Sequence, residues 1–112
     1  MKPVFTIFTG DAKTLKLKAV YAESGDPLDL TSCTEIDIAL PNANGSFTRL
    51  LFSTGDVVIE TPIVLGKFEA AISAEDSALL QPGLLQGFDV TFTIGAEIMT
   101  IRFVESLSVI ER

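Results

Sequence analysis

Residues 10–30 read GDAKTLKLKAVYAESGDPLDL, and this stretch decides the fold class. Gly-Asp pairs at positions 10–11 and 25–26 enclose a segment in which apolar and polar residues alternate. One face carries Leu15, Leu17, Ala19 and Tyr21, and the other carries Thr14, Lys16 and Lys18. Because side chains point to opposite faces along a β-strand, a period of two predicts a strand with one face buried. The stretch therefore predicts a half-buried antiparallel strand of an all-β domain.

Later segments continue this strand pattern. Residues 34–40 and 87–94 alternate as regularly, and Asn44 with Gly45 supplies a tight hairpin turn. Residues 97–110 carry an apolar row that is too long for an ordinary strand, which predicts a bulge or break near Glu105. Short strands separated by turns every 8–12 residues or so predict an antiparallel β-sandwich of about seven to nine strands. A β-barrel is the alternative.

One short segment has the signals of a helix. In SAEDSALL, Ser73 can cap the amino end, and Glu75 and Asp76 lie in the first turn, where the helix dipole favours anions. Pro82 and Gly83 then stop the helix after about two turns. We therefore expect one short helix that connects two strands.

Length and composition limit the class of protein. A chain of 112 residues is expected to form a single domain over residues 1–112. Its net charge of −7 makes nucleic acid a poor partner, because phosphate backbones bind clustered lysine and arginine. No apolar run approaches the ~20 residues that span a bilayer, and the first residues do not resemble a signal peptide. We expect a soluble protein that is made in the cytoplasm and binds no membrane.

The residue types offer little for catalysis. The chain has no histidine, which removes the commonest general base and most zinc sites. Cys33 lacks an activating sequence context, no phosphate-binding glycine loop is present, and Glu35 with Asp37 read as solvated strand residues. We therefore predict a non-enzymatic protein without a cofactor or a metal site.

A calcium- or carbohydrate-binding module is the alternative of another class. For calcium, either Asp26 with Asp29 or Glu75 with Asp76 could meet in loops at one end of a sandwich. The chain lacks the DxDxDG pattern of a calcium loop, and the absence of tryptophan with a single tyrosine is unfavourable for stacking on sugars.

Apolar residues exceed what one core needs in three places. The strand PVFTIF (residues 3–8) is apolar on both faces, and apolar residues are also frequent in IETPIVLG and ALLQPGLLQG. Such a surplus predicts a protein–protein contact surface. The residues predicted to form it are Val4, Phe5, Ile7, Phe8, Ile63, Val64, Leu65, Leu84 and Leu85.

Three stretches together carry a family resemblance. They are GDAKTLKLKAVYAESGDPLDLT, GKFEAAISAEDSALLQPG and a GFDVTFTI strand followed by EIMTIRFVESLSVI. The chain resembles small Ig-like β-sandwich proteins of tailed-bacteriophage and prophage virions over nearly its whole length. It is most similar to the N-terminal domain of baseplate upper proteins and to tail-fibre attachment modules.

The resemblance implies a structural protein of the virion. Such a protein would belong to the tail or baseplate, or would be a tail-fibre adaptor, and a capsid decoration protein is the alternative. Its partners would be other virion proteins, and it would form homo-oligomers, often rings or trimers, within the particle.

Overall fold

The computed structural model describes residues 4–21 and 24–111, without the side chains of Val4, Val104 and Glu105. Its described residues form an all-β fold with one short α-helix, as the sequence predicts. The strands are β1 (Val4–Phe8), β2 (Lys13–Lys18), β3 (Cys33–Pro41), β4 (Phe47–Leu51), β5 (Val57–Ile59), β6 (Lys67–Ile72), β7 (Gly83–Ile94) and β8 (Glu97–Ile110). The helix α1 is Ala74–Leu79, and Ile63–Leu65 forms one turn of 3-10 helix.

The larger sheet has five strands in the order β1-β8-β7-β3-β4. Three of its strand pairs are antiparallel: β7 with β8, β3 with β7, and β3 with β4. Strand β1 runs parallel to β8, with Val4 opposite Ser106 and Phe8 opposite Ile110. The prediction of a wholly antiparallel fold is wrong for this pair. A local pattern of alternation fixes the faces of a strand, but it carries no information on the direction of a distant neighbour.

The smaller sheet has three antiparallel strands in the order β2-β6-β5. The alternation in residues 13–18 is the one that the sequence predicts, because Leu15 and Leu17 are buried and Lys16 and Lys18 are exposed. Side chains from both sheets form one hydrophobic core.

Phe68 of β6 lies where the two sheets meet. Its ring contacts Phe92 of β7 and Phe103 of β8 edge to face, with ring centroids 5.7 and 5.9 Å apart. Full burial of a phenylalanine side chain contributes about 1.5–3 kcal/mol, so this cluster is a main source of the attraction between the sheets.

Helix α1 covers one end of the core. The Ser73 hydroxyl accepts the Asp76 N–H at 3.1 Å, which confirms the predicted N-cap. Ser77 is fully buried, and its hydroxyl accepts the Gly10 N–H at 3.0 Å while donating to the Ala74 carbonyl. The helix is thereby fixed to the segment between β1 and β2.

The predicted irregularity near Glu105 is present. Gln86 lies opposite Ser106 and Phe88 lies opposite Phe103, so β8 has one more residue than β7 between these two pairs. The extra residue forms a β-bulge, which divides the long apolar row of β8 into two parts that both face the core.

Gly66 lies directly before β6 and is hydrogen-bonded to the segment that follows β2. Its carbonyl accepts the Ala19 N–H at 2.9 Å, and its φ is +69°. A Cβ at this position would collide with the Ala19 carbonyl oxygen and press on the backbone of Leu28. The close approach of the two segments therefore requires glycine.

Candidate functional site

The predicted contact residues of β1 and β7 lie on two strands that both pair with β8. Strand β8 separates them, and its pairing puts Phe5, Leu107 and Leu85 in one row across three strands. Phe5 and Leu85 are half-buried against the core, and Ile7 is 2% exposed. The side chain of Ile7 is thus part of the core and offers no surface to a partner. The side chain of Val4 lies outside the described part.

Phe8 and Leu84 are exposed on the opposite face of the same strands. They lie at the end of the molecule that contains α1. Strands β1, β3 and β8 end there, and strands β4 and β7 begin there. Exposed large hydrophobic side chains gather there, and we call them the helix-end surface: Phe8, Phe47, Leu79, Leu84 and Ile110.

The helix-end surface has a shallow cavity beside it. An open depression of about 220 Å³ is lined by Pro41, Leu84 and Leu85 together with residues 81–83. Pro41 is the cross-strand partner of Phe47, so the depression lies between Phe47 and Leu84 in the order of the sheet. Apolar side chains around a depression can receive an apolar side chain of a partner protein.

The predicted contact residues Ile63 and Val64 lie at the opposite end. The 3-10 turn that contains them is joined to the loop after β2 by the Leu30 N–H, which donates to the Ile63 carbonyl at 3.1 Å. Leu65 is half-buried. The exposed apolar residues of this end form the loop-end surface: Val20, Tyr21, Ile63, Val64 and Ile98.

The structure therefore places Phe8 and Leu84 on one surface and Ile63 and Val64 on the other. The remaining predicted contact residues whose side chains are described, Phe5, Ile7, Leu65 and Leu85, are half-buried or buried. Sequence reasoning missed most members of both surfaces, although some of them carried a signal. Ile98 and Ile110 are out of phase with the inward row of β8, and Phe47 is out of phase with Leu50. An apolar residue on the polar face of a strand predicts exposure once the strand faces are known.

The acidic residues of β3 each have their own partner. Glu35 accepts the hydroxyl of Ser53 at 2.6 Å and its N–H at 3.0 Å, and the hydroxyl bond is the main reason that the pKa of Glu35 lies below its ordinary value. Asp37 forms an ion pair with Arg49 at 3.2 Å, while its Oδ1 atom is buried without a hydrogen-bond partner in the described part. Both carboxylates are engaged with different groups on β4 or just after it.

The acids considered for calcium lie at two different ends. Asp29 accepts the hydroxyl and the N–H of Thr31, and the hydroxyl is the larger of the two causes that lower its pKa. Glu75 and Asp76 lie in the first turn of α1, at the other end of the molecule. Within residues 4–21 and 24–111, no group of three or more histidine, cysteine, aspartate or glutamate residues is placed to hold a metal ion.

Cys33 is a half-buried thiol at the start of β3. Burial is the main cause that raises its pKa, and its Sγ atom donates to the Glu35 carbonyl at 3.3 Å. A raised pKa keeps a thiol protonated and unreactive at neutral pH.

The lysines of β2 face solvent beside β6. Lys16 forms an ion pair with Glu69 at 3.6 Å, and Lys18 lies opposite Lys67. No helix in the described ranges combines the length and the apolar character that crossing a bilayer requires.

Models of known protein families and the sequences of curated proteins were compared with the chain, and neither comparison produced a match.

Proposed function

We propose that this chain is a non-enzymatic structural protein of a tailed-bacteriophage or prophage virion. It would be a tail or baseplate component or a tail-fibre adaptor, with capsid decoration as the alternative position. Its partners would be other virion proteins, and it would act through contacts between protein surfaces. The resemblance of the sequence and the presence of two apolar end surfaces support this proposal, and the helix-end surface carries most of the argument.

The energy available at the helix-end surface fits an assembly role. Phe47 and Leu84 are 60% and 56% exposed. Burial of a fully exposed apolar side chain contributes about 1.5–3 kcal/mol, so a side chain that is half exposed can add roughly half of that. Five such side chains add on the order of 5 kcal/mol, which is comparable to the ~4–15 kcal/mol cost of association. One such contact is weak alone, but repeated contacts in a particle reinforce one another.

The way in which the two sheets pack is also part of this proposal. We infer an Ig-like β-sandwich, in which the five-stranded and three-stranded sheets pack face to face with Phe68 between them. The contacts of Phe68 with Phe92 and Phe103 support this arrangement. An experimental structure in which the two sheets cross at about 30° would agree with it, and strands continuing around a closed barrel would contradict it.

The test of function is the composition of purified particles. We expect mass spectrometry of gradient-purified virions to find this chain in a fixed ratio to the other tail or head proteins. Leu84→Asp places a charge on the helix-end surface, so we expect it to reduce incorporation at least tenfold. Val58→Asp is the matched control, because Val58 is also 56% exposed but lies on β5, outside both end surfaces.

Both variants are first checked for native circular dichroism and an unchanged unfolding midpoint. Particles that lack the wild-type chain would contradict the proposed function. Equal incorporation of Leu84→Asp and Val58→Asp would contradict the role of the helix-end surface.

A further inference from the structure

The edges of the two sheets differ in their protection against pairing with another strand. Natural proteins protect an edge with charged residues, with short strands or by covering it. Edge strand β2 carries three lysines, edge strand β5 has only three residues, and edge strand β4 carries Arg49 and lies against β6 of the other sheet. The fourth edge, β1, reads VFTIF and has no charged residue. Among the strands that the structure describes, β1 is therefore the edge best suited to receive another strand.

The backbone of Thr6 faces the open side of β1. The Thr9 N–H donates to the Ile110 carbonyl at 3.0 Å, so the backbone of residue 9 points toward β8. Backbone direction alternates along a strand, which directs Phe5 and Ile7 toward β8 and Thr6 away from it. Thr6 is exposed, and β1 ends the strand order of the described sheet. Its N–H and C=O groups are accordingly presented to a strand from outside.

We propose that β1 pairs antiparallel with β1 of a second copy of this chain, about a two-fold axis through Thr6. The inference rests on the proposed function, assembly through protein surfaces, and identifies one partner as the chain itself. Thr6 of the two copies would exchange two backbone hydrogen bonds. The five-stranded sheets of the two copies would then join into one continuous sheet.

The sequence of β1 is complementary to itself in this register. Phe5 of one copy lies opposite Ile7 of the other, and Val4 lies opposite Phe8. Thr6 opposite Thr6 is a hydroxyl pair, which stabilises antiparallel strands. Ile7 is 2% exposed and stays in the core of its own copy. Phe5 is half-buried in one copy, so the facing strand would cover its remaining surface.

The same register also pairs every residue of β1 with a residue of the second copy. All five residues of β1 pair when the axis passes through Thr6, whereas a slide by two residues leaves two of the five unpaired. A slide by one residue places inward side chains opposite outward ones. A two-fold pairing about Thr6 covers the uncharged edges of both copies with one set of backbone hydrogen bonds, which is why the second copy is the occupant that we propose.

A cysteine at position 6 tests the register directly. Directly opposed residues that exchange hydrogen bonds have Cα atoms about 5.5 Å apart, which lies within the range that a disulfide can join. In a Cys33→Ser background, we expect Thr6→Cys to form a disulfide-linked dimer under mild oxidation. Thr14→Cys, an exposed threonine on edge strand β2, is the matched control and should form no disulfide-linked dimer.

Proline at position 6 tests the backbone contact. Thr6→Pro removes the outward N–H but leaves the N–H groups that bond β8, so the edge of the isolated fold tolerates it. Losing that bond in both copies should raise the dimer dissociation constant roughly 100-fold in sedimentation velocity. Thr6→Val keeps the backbone groups and loses only the hydroxyl pair, so its dissociation constant should rise by no more than about fivefold.

If Thr6→Pro fails to fold by circular dichroism, Thr6→Lys replaces it. Two facing ammonium groups should weaken the dimer, and less so at high salt. Cross-linking of Thr6→Cys no faster than that of Thr14→Cys would overturn the pairing, as would a folded Thr6→Pro variant that dimerises like the wild type. A monomeric chain found in virions would refute the pairing alone, whereas a β1-paired dimer absent from virions would refute the proposed function alone.

Discussion

Replacement of Phe68 by alanine measures how much the contact between the two sheets contributes to stability. Phe68 is 0% exposed and touches the rings of Phe92 and Phe103 from the opposite sheet. Phenylalanine-to-alanine changes in a core cost about 3–5 kcal/mol. Two edge-to-face pairs of about 0.5–1.5 kcal/mol each are lost as well, which places this change in the upper half of that range. We expect a loss of about 4–5 kcal/mol in the free energy of unfolding.

The assay is urea and thermal unfolding followed by circular dichroism. A domain of this size gains entropy on unfolding of roughly 0.24 kcal/mol per kelvin, so the expected loss lowers the midpoint temperature by about 17–21 °C. Phe47→Ala is the matched control because it removes the same ring from an exposed position on β4. It should change the free energy of unfolding by no more than about 0.5 kcal/mol.

A loss below about 2 kcal/mol for Phe68→Ala would refute the reasoning, since removal of a fully buried phenylalanine ring is expected to lower the free energy of unfolding by about 3–5 kcal/mol. Equal losses for Phe68→Ala and Phe47→Ala would refute it as well. In that case the two sheets would not share the core that these contacts define.

Two further predictions concern a turn and a carboxylate. Gly66→Ala should lower the free energy of unfolding, measured in urea, by more than about 3 kcal/mol, because the new methyl group would collide with backbone atoms. Gly55 has a similar positive φ but open space around it, so Gly55→Ala should lower this free energy by only about 1–2 kcal/mol. Ser53→Ala should lower the free energy of unfolding at pH 7 by less than about 1 kcal/mol, since the Glu35 side chain that it stabilises is only partly buried. Because the folded pKa of Glu35 is depressed, this contribution is present above its ordinary value of 4.5 and disappears as the pH falls through the lower folded pKa. Urea unfolding of both proteins at several pH values between 7 and 2 checks this, and a difference that does not shrink as the pH falls below 4.5 would contradict it.

The local elements were predictable from the sequence because each rests on short-range rules. Alternation located β2, β7 and β8, Asn44 with Gly45 located the β3–β4 turn, and Ser73 located the start of α1. The bulge near Glu105 followed from the limit on strand length. These features depend on residues that are close in the chain.

The pairing of β1 and the grouping of exposed residues depend on distant parts of the chain. The pattern VFTIF reads the same whether its neighbour is parallel or antiparallel, so β8 could not be identified as the partner. Leu28 and Leu30 are buried in a loop with no regular strand, because Gly66 allows that loop to approach the core. The two end surfaces follow from which strand ends meet, and that is a property of the topology.

The pairing of β1 with β8 also has a consequence for biosynthesis. Val4 pairs with Ser106, so this strand leaves the ribosome long before its neighbour in the sheet has been made. At translation rates of about 5–20 residues per second, an uncharged apolar segment waits for roughly 5–20 seconds. During that interval it is a target for chaperones and for the same segment on nascent chains of a polysome. Slow elongation over the codons between β1 and β8 would lengthen that exposure and should lower the yield of native protein.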